Sequence, residues 1–256
     1  MWRAFLANLE KTFIEIRRYY FNSISGIATL LIFFYLLFFG VKAVGGPSIN
    51  LSSTLDGIIV GYFMWIVFIF SFQGVAWGII EEAQRGTLEQ VFASPIAFEY
   101  QMLFRMVSEF LFNNVLLAIP LMYFAAFTTG RKIGFDLATL LYLMIGGTIS
   151  ALGIGMILGG IALIFKRVSS FIQIVTFGSL SFTMFETQSL WHRLLPMSQA
   201  SSMMRALAIN NTKFYQFQFS DHVVLWLVAI GYLSIGFIVF RAFERRAMIV
   251  GSLSQY

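Results

Sequence analysis

The sequence predicts an all-α membrane protein with six transmembrane helices, and three observations carry that reading. Of 256 residues, 59% are hydrophobic and 11% are charged, against about 25% charged in an ordinary soluble domain. Seventeen Lys and Arg with twelve Asp and Glu are too few to coat a water-facing surface. The charges also leave six long uncharged windows between them. Each window is close to or above the roughly 18–20 residues needed to cross a hydrocarbon core of about 30 Å. None alternates with period two, and an open sheet edge cannot face lipid, so the windows read as helices rather than barrel strands. The same composition excludes a soluble globular enzyme, a disordered chain and a coiled coil.

Residues 2–20 come first. Trp2, Phe5, Leu6, Leu9, Phe13, Ile16 and Tyr20 recur at spacings of three and four, with Arg3, Lys11, Arg17 and Arg18 on other faces. That pattern predicts an amphipathic helix lying in the interfacial layer. The first span follows at about 22–42. It is too long, and preceded by too much mixed charge, to be a cleaved signal peptide. The second span is expected at about 57–80, between Asp56 and Glu81.

The next segment, EEAQRGTLEQVFASPIAFEYQ from Glu81, is too polar to cross and too short for a domain. It reads as one short helix at about 82–94, ended by Pro95, because proline cannot continue a helix. Glu81, Glu82, Arg85 and Glu89 give it a charge density suited to docking on another protein. The third span is expected at about 106–129. Arg105 and Glu109 at its start stand one turn apart, as an ion pair would.

Spans four and five are expected at about 138–165 and 168–186, the latter from the shortest window. Residues about 187–220 are too apolar for a free loop, with Trp191, Leu194, Leu195, Met203, Met204 and Leu207. They predict two short helices that dip into the outer leaflet or cap a cavity, as a re-entrant segment. The sixth span is expected at about 222–241. The whole chain, 1–256, is one domain.

Gly147, Ala151, Gly155 and Gly159 in the fourth span, and Gly74 and Gly78 in the second, are small residues four apart. They allow close backbone approach, either at a moving or intermolecular interface or in packing within the chain. Eleven Lys and Arg fall on the side of the termini and six on the other. The positive-inside rule then places both termini in the cytoplasm.

The sequence lacks several kinds of chemistry. It has no Gly-Lys dipeptide, hence no Walker A loop. Its two His, His192 and His222, have no metal-ligand spacing, and it has no Cys. It has no G-x-S-G and neither His sits mid-span, and the one acidic candidate for an ion path, Glu186, lies at the outer end of a span. The two halves do not resemble inverted repeats of a secondary transporter.

Taken together, Glu81-Glu82-Ala83-Gln84-Arg85-Gly86-Thr87-Leu88-Glu89-Gln90, followed by Ser94-Pro95-Ile96, resembles the ABC type-2 exporter permease. That family shows a Glu, then G-T-L-E-x-L and a Ser/Thr-Pro. Here Val91 and Phe92 stand where it usually has a Leu pair. Leu195-Pro196 and the run to Arg205-Ala206-Leu207 are similar to its outer segment.

The resemblance implies that this chain is not an enzyme and binds no cofactor. ATP and Mg would sit on a separate cytoplasmic ABC ATPase dimer, whose groove receives the 82–94 segment as a coupling helix. Glu81, Glu82, Arg85, Gly86, Thr87, Leu88, Glu89 and Pro95 would form that contact, with Thr87 capping the helix that follows. It also implies a second permease copy or a related chain, a location in the inner or plasma membrane among lipids, and no nucleic-acid partner. The substrate path would run between the two permeases, with Phe33, Phe38, Phe63, Phe182, Phe185 and Glu186 as candidates for lining it. Two other classes remain open: a membrane anchor that recruits a cytoplasmic partner, and a lipid-modifying enzyme using Glu186, His192 and Arg193.

Overall fold

A computed structural model of the chain describes residues 2–44, 51–84, 87, 90, 94, 98–131, 133, 136–165, 168–184 and 189–250. Among them there is no β-strand. The helices are α1 (Trp2–Arg18), α2 (Tyr20–Val44), α3 (Leu51–Gln84), α4 (Phe98–Glu109), α5 (Ile119–Thr128), α6 (Leu137–Ile164), α7 (Ser169–Met184), α8 (Leu190–Arg193), α9 (Ser198–Asn210) and α10 (Phe219–Val250). A π-helical segment, Phe110–Ala118, joins α4 to α5, and a 3-10 turn, Phe214–Gln216, precedes α10.

Among the described residues, five stretches are long and apolar enough to cross a membrane: Tyr20–Val44, Thr54–Glu82, Gln101–Thr128, Leu137–Ile164 and Phe219–Ile249. The 168–186 window is occupied by α7, which has 16 residues. At 1.5 Å per residue it is about 24 Å long, short of the about 30 Å core. The window's last residues, 185 and 186, lie outside the described ones.

Side-chain contacts fix the direction of each helix. Tyr62 Oη of α3 donates to the Leu30 carbonyl of α2 at 2.6 Å, and Trp65 Nε1 donates to the Thr176 carbonyl of α7 at 2.9 Å. Gln73 also reaches Thr176, at 2.9 Å, and Gly61 faces Thr183 and Met184, so α3 and α7 run antiparallel. Gly155 and Gly159 of α6 lie against Phe72 and Ile79 of α3, so those two helices are parallel. Gly146, Gly153 and Gly160 of α6 meet Leu225, Tyr232 and Phe240 in turn, so α10 is parallel to both. Consequently the end of α3 and the end of α10 share one end of the bundle, and Lys11 beside Glu82 brings α1 to that end.

The small residues of α6 therefore serve packing within the chain. A Cβ on Gly155 would stand 2.6 Å from the Phe72 carbonyl oxygen, and one on Gly236 of α10 would stand 2.4 Å from that of Gly153. Two backbones at that separation leave room only for glycine. Helix α3 is the other central element: Phe63, Phe68, Phe72 and Met64 are fully buried in it.

The third span is not a uniform α-helix. Pro120 sits in the first turn of α5. It cannot donate to the carbonyl four residues back, and its ring crowds that group. The nine residues of π-helix end immediately upstream, where wider turns take up the misfit. At the far end Gly130, with φ of 71°, stops α5, and the Arg131 amide returns to the Ala126 carbonyl at 2.9 Å. Asp136 then opens α6 by accepting from the Thr139 amide at 3.0 Å.

The 187–220 segment contains α8 and α9. Ser198, Gln199, Ala200, Ser201, Met203, Met204 and Leu207 of α9 are buried. The entry is tight: Met197 adopts φ of 64°, its amide donates to Ser150 Oγ at 2.9 Å, and its sulfur covers Gly147. An unbranched thioether over a glycine allows that close contact, and burial of Met197 holds the left-handed residue in place.

Candidate functional site

The last turn of α3, with Thr87 and Lys11 of α1, forms a charged platform at the end of the bundle where α1 lies. Glu82 is its centre. Lys11 Nζ of α1 lies 3.5 Å from Glu82 Oε1. Thr87 Oγ1 donates to Glu82 Oε2 at 2.5 Å, and the Thr87 amide donates to the Glu82 carbonyl at 3.0 Å. Thr87 thus bonds back to the last turn of α3. Glu81 is exposed beside it.

One layer deeper, Arg105 Nε donates to Glu109 Oε1 at 2.8 Å, the ion pair expected from their spacing. Glu81 and Glu82 lie within the electrostatic reach of the guanidinium. The pair has room because of two glycines of α3. A Cβ on Gly74 would stand 1.7 Å from Glu109 Oε2, and one on Gly78 would stand 2.3 Å from Arg105 Cζ. The Gly74 and Gly78 spacing therefore admits a half-buried charge pair from α4. Helix α1 joins this platform from outside, with the Phe5 ring 5.9 Å from Phe104 of α4. Arg85, Gly86, Leu88, Glu89 and Pro95 lie outside the described residues.

A polar cluster sits further along the same helices. Asn114, 1% exposed, donates from Nδ2 to Ser71 Oγ at 3.0 Å. Ser71 in turn contacts Thr148 Oγ1 at 3.3 Å. These three link the π segment to α3 and α6. Sequence reasoning missed them, though an Asn inside an apolar span is a signal in itself.

The aromatic residues expected to line a path fall on α2, α3 and α7. Phe33 packs 5.6 Å from Trp65 and 6.1 Å from Tyr62. Phe38 and Phe63 are buried, and Phe182 meets Phe68 edge-on at 5.5 Å. Phe185 and Glu186 lie outside the described residues.

At the opposite end of the bundle, Arg205 of α9 donates to the Thr183 carbonyl at 2.8 Å and to the Met184 carbonyl. A guanidinium there supplies donors to the last carbonyls of α7 and opposes its dipole. Arg193 is held by Asp221 Oδ1 at 2.6 Å and Gln199 Oε1 at 2.9 Å, and His192 Nδ1 pairs with Ser198 Oγ at 2.8 Å. Tyr142 joins His222 Nδ1 at 2.8 Å and Trp226 Nε1 at 2.9 Å. The Arg193–Asp221 pair seats the α8–α9 segment on α10, and Tyr142 ties α6 to the same end of α10. Asp136 belongs to the same end; the hydroxyl and then the amide of Thr139 hold its carboxyl below the usual carboxylate range.

The long apolar helices, buried backbone approaches and one charged end define a multi-pass helical membrane protein. The family described as ABC-2 family transporter protein matches residues 24–195. The chain belongs to that family of transporter permeases, whose members are transmembrane transport subunits. No curated protein matches the sequence significantly.

Proposed function

We propose that this chain is the membrane subunit of an ATP-driven exporter, driven by a separate cytoplasmic ATPase and paired with a second permease. In this reading the path has six crossings, with α7 as the fifth, and both termini are cytoplasmic. Residues about 82–94 act as the coupling helix. Glu81, Glu82, Arg85, Gly86, Thr87, Leu88, Glu89 and Pro95 face the ATPase. Leu88 enters an apolar groove, Gly86 allows close backbone approach, and the charges tune docking.

The observation that carries the reading is the link from Lys11 through Glu82 to Thr87. It ties the amphipathic helix, the end of a spanning helix and the GTLE segment into one unit. A push on residues 87–89 reaches α1 and α3 together. The sequence supports the need for a separate motor, since it has no Walker A loop.

The test uses the permease purified with its ATPase. Glu82→Lys should uncouple ATP hydrolysis from transport, and adding Lys11→Glu should restore part of it by rebuilding the pair. Gly86→Trp should weaken co-purification. Unchanged co-purification and transport in all three variants would remove the assignment.

A further inference from the structure

Helices α4, α6 and α10, with the π segment, leave a groove of about 830 Å³ between them, within the range of sites for small ligands of about 300–1,000 Å³. Met106 and Leu111 form one wall, Ile145 and Leu152 the floor, and Leu233 and Phe237 the other wall. All three helices include membrane-crossing stretches. The groove therefore opens onto hydrocarbon.

Its shape argues for the occupant. On α6 the lining runs from Ile145 to Met156. Eleven residue steps of helix measure about 17 Å, roughly half of the about 30 Å core. A helix of a second copy would cross the whole core. A lipid tail occupies one leaflet. One end of the groove is charged, and it is the end shared with Glu82: Arg241 and Glu244 line it there. The Arg241 guanidinium lies over the Phe237 ring, 4.9 Å from its centre. Arg245 and Arg246 are exposed on the same turns. On these turns of α10 three cations stand against one carboxylate, which favours an anionic headgroup beside Arg241. Met102, Met106 and Met156 also line it, and thioether side chains adapt to an irregular guest.

We propose that this groove binds one acyl chain of an anionic glycerophospholipid, with the headgroup phosphate at Arg241. The site is independent of the coupling reading, since it faces lipid and uses none of residues 81–95.

The full chain is reconstituted in phosphatidylcholine vesicles containing phosphatidylglycerol with a photoactivatable group on its acyl chain. Labelled residues are then mapped after illumination. Labelling should concentrate on Met106, Leu152 and Phe237, well above Ile32 and Leu36 on the exposed face of α2. Phosphatidylcholine carrying the same chain should label the groove less. Leu152→Trp should lower groove labelling severalfold and leave α2 unchanged. Arg241→Gln, on the exposed surface, should raise the half-saturating fraction of phosphatidylglycerol about fivefold, equivalent to about 1 kcal/mol. Equal labelling of groove and α2, or equal labelling by both lipids, would overturn the proposal. So would cross-links between two chains through Leu103→Cys and Leu233→Cys, which would assign the groove to a second copy.

Discussion

At the residue scale, the Arg105–Glu109 pair shows how a sparse charge is kept in an apolar bundle. Arg105 and Glu109 are accommodated because Gly74 and Gly78 have no side chains in the way. Their exposures of 28% and 17% leave them largely dry, so either charge alone is costly. Glu109→Ala is expected to destabilise the chain by about 2–4 kcal/mol, somewhat under the value for a fully buried pair. Arg105→Met combined with Glu109→Leu should recover most of that loss, since an apolar pair of similar volume has no uncompensated charge. Thermal melts of the detergent-solubilised chain read both. Equal losses in the single and the double variant would mean that packing, rather than the lone cation, sets the cost.

Elements show which parts were legible beforehand. The amphipathic stripe of residues 2–20 was readable because its spacing is regular, and α1 follows it to Arg18. The Arg105–Glu109 spacing gave its partner directly. Thr87 was legible as a capping hydroxyl; its bonds run back to Glu82, and Leu88 and Glu89 beyond it lie outside the described residues. The π turns were hidden for a different reason: hydropathy is blind to which carbonyl an amide pairs with. Asp136 at the start of α6 makes a prediction at this scale. Its folded pKa lies below its unfolded one. The stabilisation is complete above the ordinary Asp value of about 3.9 and is lost as pH falls through the folded value. The melting temperature should therefore drop on acidification in that window. Asp136→Asn, which accepts the same hydrogen bond at every pH, should lack that component of the drop.

For the whole molecule, hydropathy located the long spans because lipid excludes charge over a fixed thickness. The fifth window, the shortest of the six, holds α7, which has 16 residues among the described ones. Helix direction came from contacts, and it places both ends of the described chain at one end of the bundle. Topology can be read by labelling, since the native sequence has no Cys. Tyr215→Cys, at a position 74% exposed, should react with an impermeant thiol reagent from outside. Gln90→Cys should react only after the membrane is opened. The reverse pattern would invert the orientation. Ser201, though in the same outer segment, is buried and would report nothing.

The π segment has one further consequence. If those nine residues changed to α-helical pairing, each amide would move to an acceptor one residue nearer. The shift between the two flanking helices would be about 1.5 Å along the axis and about 100° around it. The Arg105–Glu109 anchor lies below the segment and the Tyr35–Thr128 hydrogen bond above it. The third span is therefore two shafts joined by a segment of different pitch: one shaft is gripped at the charged platform, and the other ends at the loop before α6.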